Sequence, residues 1–167
     1  MLWILFLLPV IAIVWYWYPD KPLPKDVIID KLVVHKAKRV MEAYSGNTVI
    51  KTYNIALGKN PIGHKEFEGD KKTPEGRYTI NARNPRSGYY KNLGVSYPNE
   101  ADKVHAAKLE KSPGGDIKIH GLRNDRGYIG KFHRMKDWTN GCIAVTNDEA
   151  DELYVAVKKD AEIVILK

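Results

Sequence analysis

From Leu2 to Tyr18 the chain carries no charged side chain, so every charge lies in residues 19–167. As a helix, residues 2–18 would reach roughly 26 Å at 1.5 Å per residue, just short of a hydrocarbon core. A run this apolar cannot coat a soluble domain, which divides the chain into an apolar leader and one polar body. No Lys or Arg precedes the run, and Trp15-Tyr16-Trp17-Tyr18 stands where an export signal carries small residues before its cleavage site. Tyr and Trp favour the membrane–water boundary. Residues 1–18 therefore read as an N-terminal transmembrane anchor, with a cleaved signal as the alternative. Lys21 and Lys25 favour a cytoplasmic C-terminal side, but Asp20 and Asp26 lie among them, and charge leaves the orientation open. Residues 19–26, with Pro19, Pro22 and Pro24, read as a stiff polar tether.

Residues 27–167 are long enough for one compact domain without covalent staples. The lone cysteine excludes an internal disulfide and any multi-thiolate metal cluster. A formal net charge of +7 favours an anionic partner. A nucleic acid is disfavoured, because three of the four Trp sit in the leader and the remaining basic residues are interleaved with acids.

The pattern of the body is mainly β. Val27-Ile-Ile and Leu32-Val-Val lead to a strand over 39–44, a turn at Ser45-Gly46-Asn47 and a strand over 48–57. Residues 58–76 hold four glycines and two prolines among many charges and read as a long loop or lid. Strands are expected over 77–82, 116–120 and 161–166. Thr146-Asn-Asp-Glu149 fits a capping box, with Ala150, Leu153, Tyr154 and Val157 giving the helix one apolar face. The fold class is mainly β with a minor α component, one or two helices packing on the sheet.

Cys142 follows Thr139-Asn140-Gly141 and precedes the apolar Ile143-Ala144-Val145. A glycine before the thiol lets the backbone bend so that amides converge on one point, as an oxyanion requires. A plain turn into a strand is the simpler alternative. A thiol mostly protonated at neutral pH needs a base. His35, His64 and His105 are expected to be solvated, whereas His120 ends the alternation Ile117-Lys-Ile-His and precedes Gly121. His133 is the rival base. Zinc held by His120, His133 and Cys142 is disfavoured by their wide separation in the chain.

His120-Gly121, the spacer 122–138 and Thr139-x-Gly141-Cys142 together resemble the signature of the L,D-transpeptidase catalytic domain, also called YkuD. The resemblance extends over about 27–167. It includes Tyr53-Asn-Ile-Ala-Leu-Gly58, Gly69-Asp-Lys-Lys-Thr-Pro-Glu-Gly76 and Ser96-Tyr-Pro-Asn99. It implies a β-sandwich, Cys142 as nucleophile and His120 as base. The Gly121 carbonyl would orient the imidazole, and the turn Thr139, Asn140, Gly141 and Cys142 would hold the oxyanion. It implies no metal and no cofactor.

The implied substrate is the peptidoglycan stem tetrapeptide, attacked between its third and fourth residues to form a thioester. An amine resolves that thioester in a transpeptidase and water in a hydrolase of the same family; the acceptor amine is not specified. A wall substrate also implies a catalytic domain outside the cytoplasm, held to the inner membrane by the leader. Asp137-Trp138-Thr139 resembles a subgroup associated with Gram-negative bacteria, hence an expected periplasmic location. Two positions depart from the family pattern: Asn140 replaces a His, and Ala144 replaces an Arg or Asn that contacts substrate. Arg123, Arg126 or Arg134 is a candidate replacement clamp for a substrate carboxylate, with His133 and Trp138 as further substrate contacts. The departures also leave open a non-catalytic wall-binding module.

Overall fold

The computed structural model describes Val14, Tyr16, Tyr18 and residues 20–167. Most of the leader, and with it the expected anchor, lies outside the described residues. Among those described, no helix is long and apolar enough to cross a membrane.

The core strand is β1 (Ile29–His35), whose Ile29, Leu32 and Val34 are completely buried. It pairs antiparallel with β2 (Val40–Ser45), which turns through Gly46-Asn47 into β3 (Thr48–Asn54). Gly46 has φ +59°, the left-handed geometry that a tight hairpin turn needs. On its other side β1 runs parallel to the last strand, in which Ala161, Ile163 and Ile165 alternate inward. Then come β4 (Gly76–Ser87) and β5 (Tyr90–Val95), the short β6 (Lys118–His120) and β7 (Ile143–Ala144), and the closing strand β8 (Val157–Leu166). The helices are α1 (Glu100–Lys108) and α2 (Asn147–Ala156), with a 3₁₀ segment over Gly127–Met135 kinked at Gly130.

The expected sandwich takes the form of a single eight-stranded curled sheet, ordered β3-β2-β1-β8-β4-β5-β6-β7. One long strand makes the curl. Gly76–Thr79 of β4 pair with β8, while Ile80–Ser87 pair with β5 through two irregularities in register. Those bulges turn the strand from one half of the sheet to the other. The two ends of the sheet then meet, because Ala56 just beyond β3 exchanges backbone hydrogen bonds with Ala144 of β7 at 3.0 and 2.8 Å. That closure brings the segment after β3 against the turn that carries Cys142.

The capping box of α2 forms as its sequence implies: Thr146 accepts from Glu149 N–H while the Glu149 carboxylate accepts from Thr146 N–H. Ala150, Leu153 and Ala156 face inward, and α2 packs on β5 and β6. The helix ends one residue sooner than its apolar pattern suggests, since Val157 already opens β8. Of the histidines expected to be solvated, His105 is exposed as expected and His64 is not free of partners. His105 is on α1, and His64 is held between Asp102 (3.1 Å) and the amide of Glu75 (3.0 Å).

Residues 58–76 form a pinned loop. The Lys36 ammonium, nearly buried, donates to Gly63 O, Thr73 O and Glu75 Oε1 at 2.6, 2.8 and 2.9 Å. Lys65 and Asp70 form a second buried pair at 2.8 Å. Burial alone would raise the Asp70 carboxyl, but the Lys65 ammonium and the amides of Lys72, Glu66 and Phe67 outweigh it and hold the group below the usual carboxylate range.

Candidate active site

Cys142 ends a turn built on Thr139. The Thr139 hydroxyl donates to Cys142 O at 2.7 Å and accepts from Gly141 N–H at 3.1 Å, which closes the turn on itself. Its backbone is fixed from outside by Thr139 N–H to Leu57 O and Lys59 N–H to Thr139 O. Asp137 anchors the lead-in, taking Arg39 Nη2 and Nε at 2.7 and 2.9 Å and Leu57 N–H at 2.8 Å. Gly141 adopts φ +131°, and a Cβ there would lie 2.7 Å from the Lys72 carbonyl. Only glycine fits both the backbone angle and the approach of the pinned loop.

The Gly141 amide is thus already occupied. Among the described residues no group accepts from Asn140 N–H or Cys142 N–H, so these two amides are free to donate. Gly141 serves the turn through its backbone shape.

His120 is the last residue of β6, opposite Ala144 of β7 and Asn92 of β5. Its Nδ1 lies 2.7 Å from Gly121 O. A carbonyl only accepts, so Nδ1 carries the proton and Nε2 is left as the free base. Gly121 is required for close packing, since a Cβ would lie 2.7 Å from Asn147 Oδ1 and 3.0 Å from Tyr90 Cβ. Tyr89 and Trp138 flank the imidazole, with ring centroids 4.8 and 5.6 Å away.

Cys142 and His120 line one cavity of about 270 Å³ with Lys59, Tyr89, Asn92, Lys118, Trp138 and Asn140. Burial lowers the His120 pKa, only partly offset by the Gly121 carbonyl. Burial raises the Cys142 thiol, partly offset by the Lys118 amide and the Lys118 charge. Both shifts favour neutral forms: a thiol that donates to Asp116 O at 3.6 Å, and a neutral imidazole lining the same cavity. Alkylation of Cys142 by iodoacetamide is therefore expected to keep rising with pH beyond the ordinary thiol pKa of about 8.5, since the thiolate reacts. A flat alkylation rate from mildly acid to neutral pH, measured by intact mass, would contradict this assignment.

The other residues read from sequence fall beside this cavity. His133 is buried, and burial together with Arg134 pushes it down to about 3. It is neutral, with its Nδ1 toward Trp138 Nε1–H at 3.5 Å, which makes it a neighbour of the wall residue Trp138 and not the partner of the thiol. Arg123, Arg126 and His133 line a second cavity of about 590 Å³ that shares Tyr89 and Trp138 with the first. Arg134 is bound to Glu149 (2.7 Å) and Asp20 (3.3 Å) and is not available as a clamp. The charged groups lining the thiol cavity are Lys59 and the pair Lys118–Asp116 (2.7 Å), which sequence reasoning missed along with Tyr89 and Asn92. Ala144 is fully buried, so its methyl offers substrate no polar contact. Among the described residues no group of three or more His, Cys, Asp or Glu side chains is placed to hold a metal ion.

The model of the YkuD L,D-transpeptidase catalytic domain matches residues 29–165. "Putative L,D-transpeptidase YafK" of Escherichia coli K12 is 28% identical over 129 residues, covering 72% of this chain and 44% of that protein. "Putative L,D-transpeptidase YqjB" of Bacillus subtilis is 27% identical over 151 residues, covering 87% of this chain and 74% of its own length. The crystal structure of the helical cell shape determining protein Pgp2 from Campylobacter jejuni superposes with a TM-score of 0.61 at 27% identity, over 89% of this chain and 52% of that one. The chain spans about half the length of YafK and of the Pgp2 chain. A match over residues 29–165, which takes in strands from all parts of the curled sheet, the Thr139–Cys142 turn and His120, places the chain in the L,D-transpeptidase catalytic domain (YkuD) family.

Proposed function

We propose that this chain is a cysteine acyltransferase of the bacterial cell wall, acting on the stem tetrapeptide of peptidoglycan. The observation that carries this reading is the Nδ1–Gly121 O hydrogen bond, which leaves His120 Nε2 unprotonated in the cavity lined by Cys142. Nε2 takes the thiol proton as the sulfur attacks the carbonyl of the third stem residue. The amides of Asn140 and Cys142 hold the resulting oxyanion. Collapse breaks the bond to the fourth residue, whose amine leaves with the proton from the imidazolium, and a thioester remains. An acceptor amine then attacks the thioester carbonyl and gives its proton to His120; the C–S bond breaks, and the Cys142 sulfur leaves and takes that proton back from the imidazolium. Lys59 supplies positive charge for a substrate carboxylate, Lys118 being paired with Asp116, and Asn92 offers an amide beside the base. Arg123, His133 and Trp138 form the neighbouring substrate surface.

The shape-determining role in the Pgp2 description supports assignment to the cell wall. Residues 2–18 anchor the domain in the inner membrane with the catalytic cavity on the periplasmic side, where the wall lies.

The chain incubated with tetrapeptide muropeptides, followed by intact-protein and product mass spectrometry, tests the reading. The expected result is loss of the fourth residue, an acyl adduct on Cys142 and a cross-linked dimer. Free tripeptide in place of dimer would identify water as the acceptor and make the enzyme an L,D-carboxypeptidase. Stem binding without adduct or product would overturn catalysis and leave a wall-binding module.

A further inference from the structure

The apolar leader does not end in a free tether. Tyr16 stacks on Phe132 of the 3₁₀ segment, centroids 5.0 Å apart and rings 14° from parallel, and its hydroxyl donates to Tyr128 O at 2.7 Å. The Lys131 ammonium donates to Tyr18 O, and Asp20 pairs with both Lys131 (3.1 Å) and Arg134 (3.3 Å). Further along, Leu23 N–H donates to Glu152 on α2 at 3.1 Å. The chain thus enters the body against Gly127–Met135, and the proline-rich stretch is clamped to the domain at both ends.

The same face is unusually apolar for a surface. Tyr18, Tyr128 and Met135 are 72%, 71% and 79% exposed, with Phe132 beside them. The second cavity opens between Ile129, Phe132 and Met135, with Arg126 and Lys136 on its lining. Exposed aromatic and Met side chains with a mainly cationic rim (Arg123, Arg126 and Lys136, with Asp125 3.7 Å from Arg126), continuous with a charge-free run, match the chemistry of a bilayer interface: apolar groups enter the acyl boundary and cations meet phosphates.

We propose that the face made by Gly127–Met135 and residues 16–20 lies on the membrane surface, with Tyr128, Phe132 and Met135 in the interfacial zone of the lipid and Arg126 and Lys136 against its phosphates. The proposal rests on the reading of residues 2–18 as a membrane anchor. Trp138, three residues beyond Met135, walls the thiol cavity, so docking holds that cavity close to the bilayer and directs it to wall strands near the membrane.

The test uses the full chain in vesicles of phosphatidylethanolamine and phosphatidylglycerol, in a Cys142→Ser background. Single nitroxide labels are placed at Leu8→Cys, Met135→Cys and Lys108→Cys on α1, and their collisions with oxygen and with a water-soluble nickel chelate are compared. The expected result is a label at 8 inside the bilayer and a label at 135 several-fold protected from nickel relative to 108. A label at 8 in lipid with 135 as nickel-accessible as 108 would overturn the docked face and leave the anchor standing. A label at 8 in water would overturn the anchor and the docked face together.

Discussion

Cys142→Ala is expected to abolish both the acyl adduct and release of the fourth stem residue, while His120→Ala slows both by about 10²–10⁴-fold. The two effects differ because the roles differ. Without sulfur no thioester forms. Without His120 the thiol still ionises at high pH, so the His120→Ala enzyme should recover activity as pH rises and should respond to added imidazole. In the wild type, base catalysis needs neutral His120. Burial lowers the pKa of that group, so the neutral form persists below the ordinary imidazole value of about 6.5. The acid limb of kcat/KM is therefore expected below pH 6.5, and it should vanish in His120→Ala. An unchanged acid limb in that variant would remove His120 from the role of base. Thermal unfolding of both variants close to that of the parent separates lost chemistry from lost structure.

Cys142 and His120, which line one cavity and which we propose as nucleophile and base, were legible in the sequence because that chemistry demands particular residue types in a particular local frame. The Thr139 side chain closes its turn through two hydrogen bonds within it, and Gly121 follows the histidine it orients, so each half of the site is written largely in a few adjacent positions. Lys59, Asn92, Tyr89 and Lys118 were not legible. They come from a loop, a hairpin and two strands that meet only when β4 swings between the halves of the sheet and Ala56 closes on Ala144. Local pattern holds no trace of that closure.

The elements divide in the same way. β1, β2 and β8 show buried β-branched or aliphatic alternation, and their strands stood out. β5 was hidden by Asn92 and Gly94, both poor strand formers, the first facing the site cavity and the second leaving no room for a Cβ against Asn81 and Ala82. The far half of β4 was hidden by Asn84 and Pro85, which sit where the register is irregular. α1 has almost no apolar face, and only Asp102 and Ala106 are buried on it; its one local signal was the capping box from Asn99 to Asp102. In residues 58–76 glycine and proline content read as a long loop or lid, and a loop is found; that buried Lys36, Lys65 and Asp70 pin it could not be read from composition.

That loop carries the second large effect. Asp70 and Lys65 are 3% and 4% exposed, and the carboxylate also accepts from the amides of Glu66 (2.7 Å), Lys72 (3.0 Å) and Phe67 (3.3 Å). Asp70→Asn keeps one acceptor oxygen but strands the Lys65 ammonium without a counter-charge. Breaking a buried pair in this way costs about 3–5 kcal/mol, equivalent to a fall in Tm of roughly 10 °C for a domain of this size. The folded pKa of Asp70 is lowered, so its stabilisation is complete above the unfolded value of about 3.9 and is lost as pH falls through the folded value. The difference in unfolding free energy between parent and Asp70→Asn should therefore be constant through neutral pH and shrink only in acid. Lys65→Met should cost less, because the carboxylate keeps its three amide donors. The loop also bears on catalysis, since the Lys72 carbonyl abuts Gly141 and fixes the turn that presents Cys142. Asp70→Asn is accordingly expected to lower kcat even well below its Tm, with KM less affected, because a turn free to move no longer holds its amides where the oxyanion forms. Full kcat in a variant that has lost the expected stability would show that the turn is held by Thr139 and Asp137 alone.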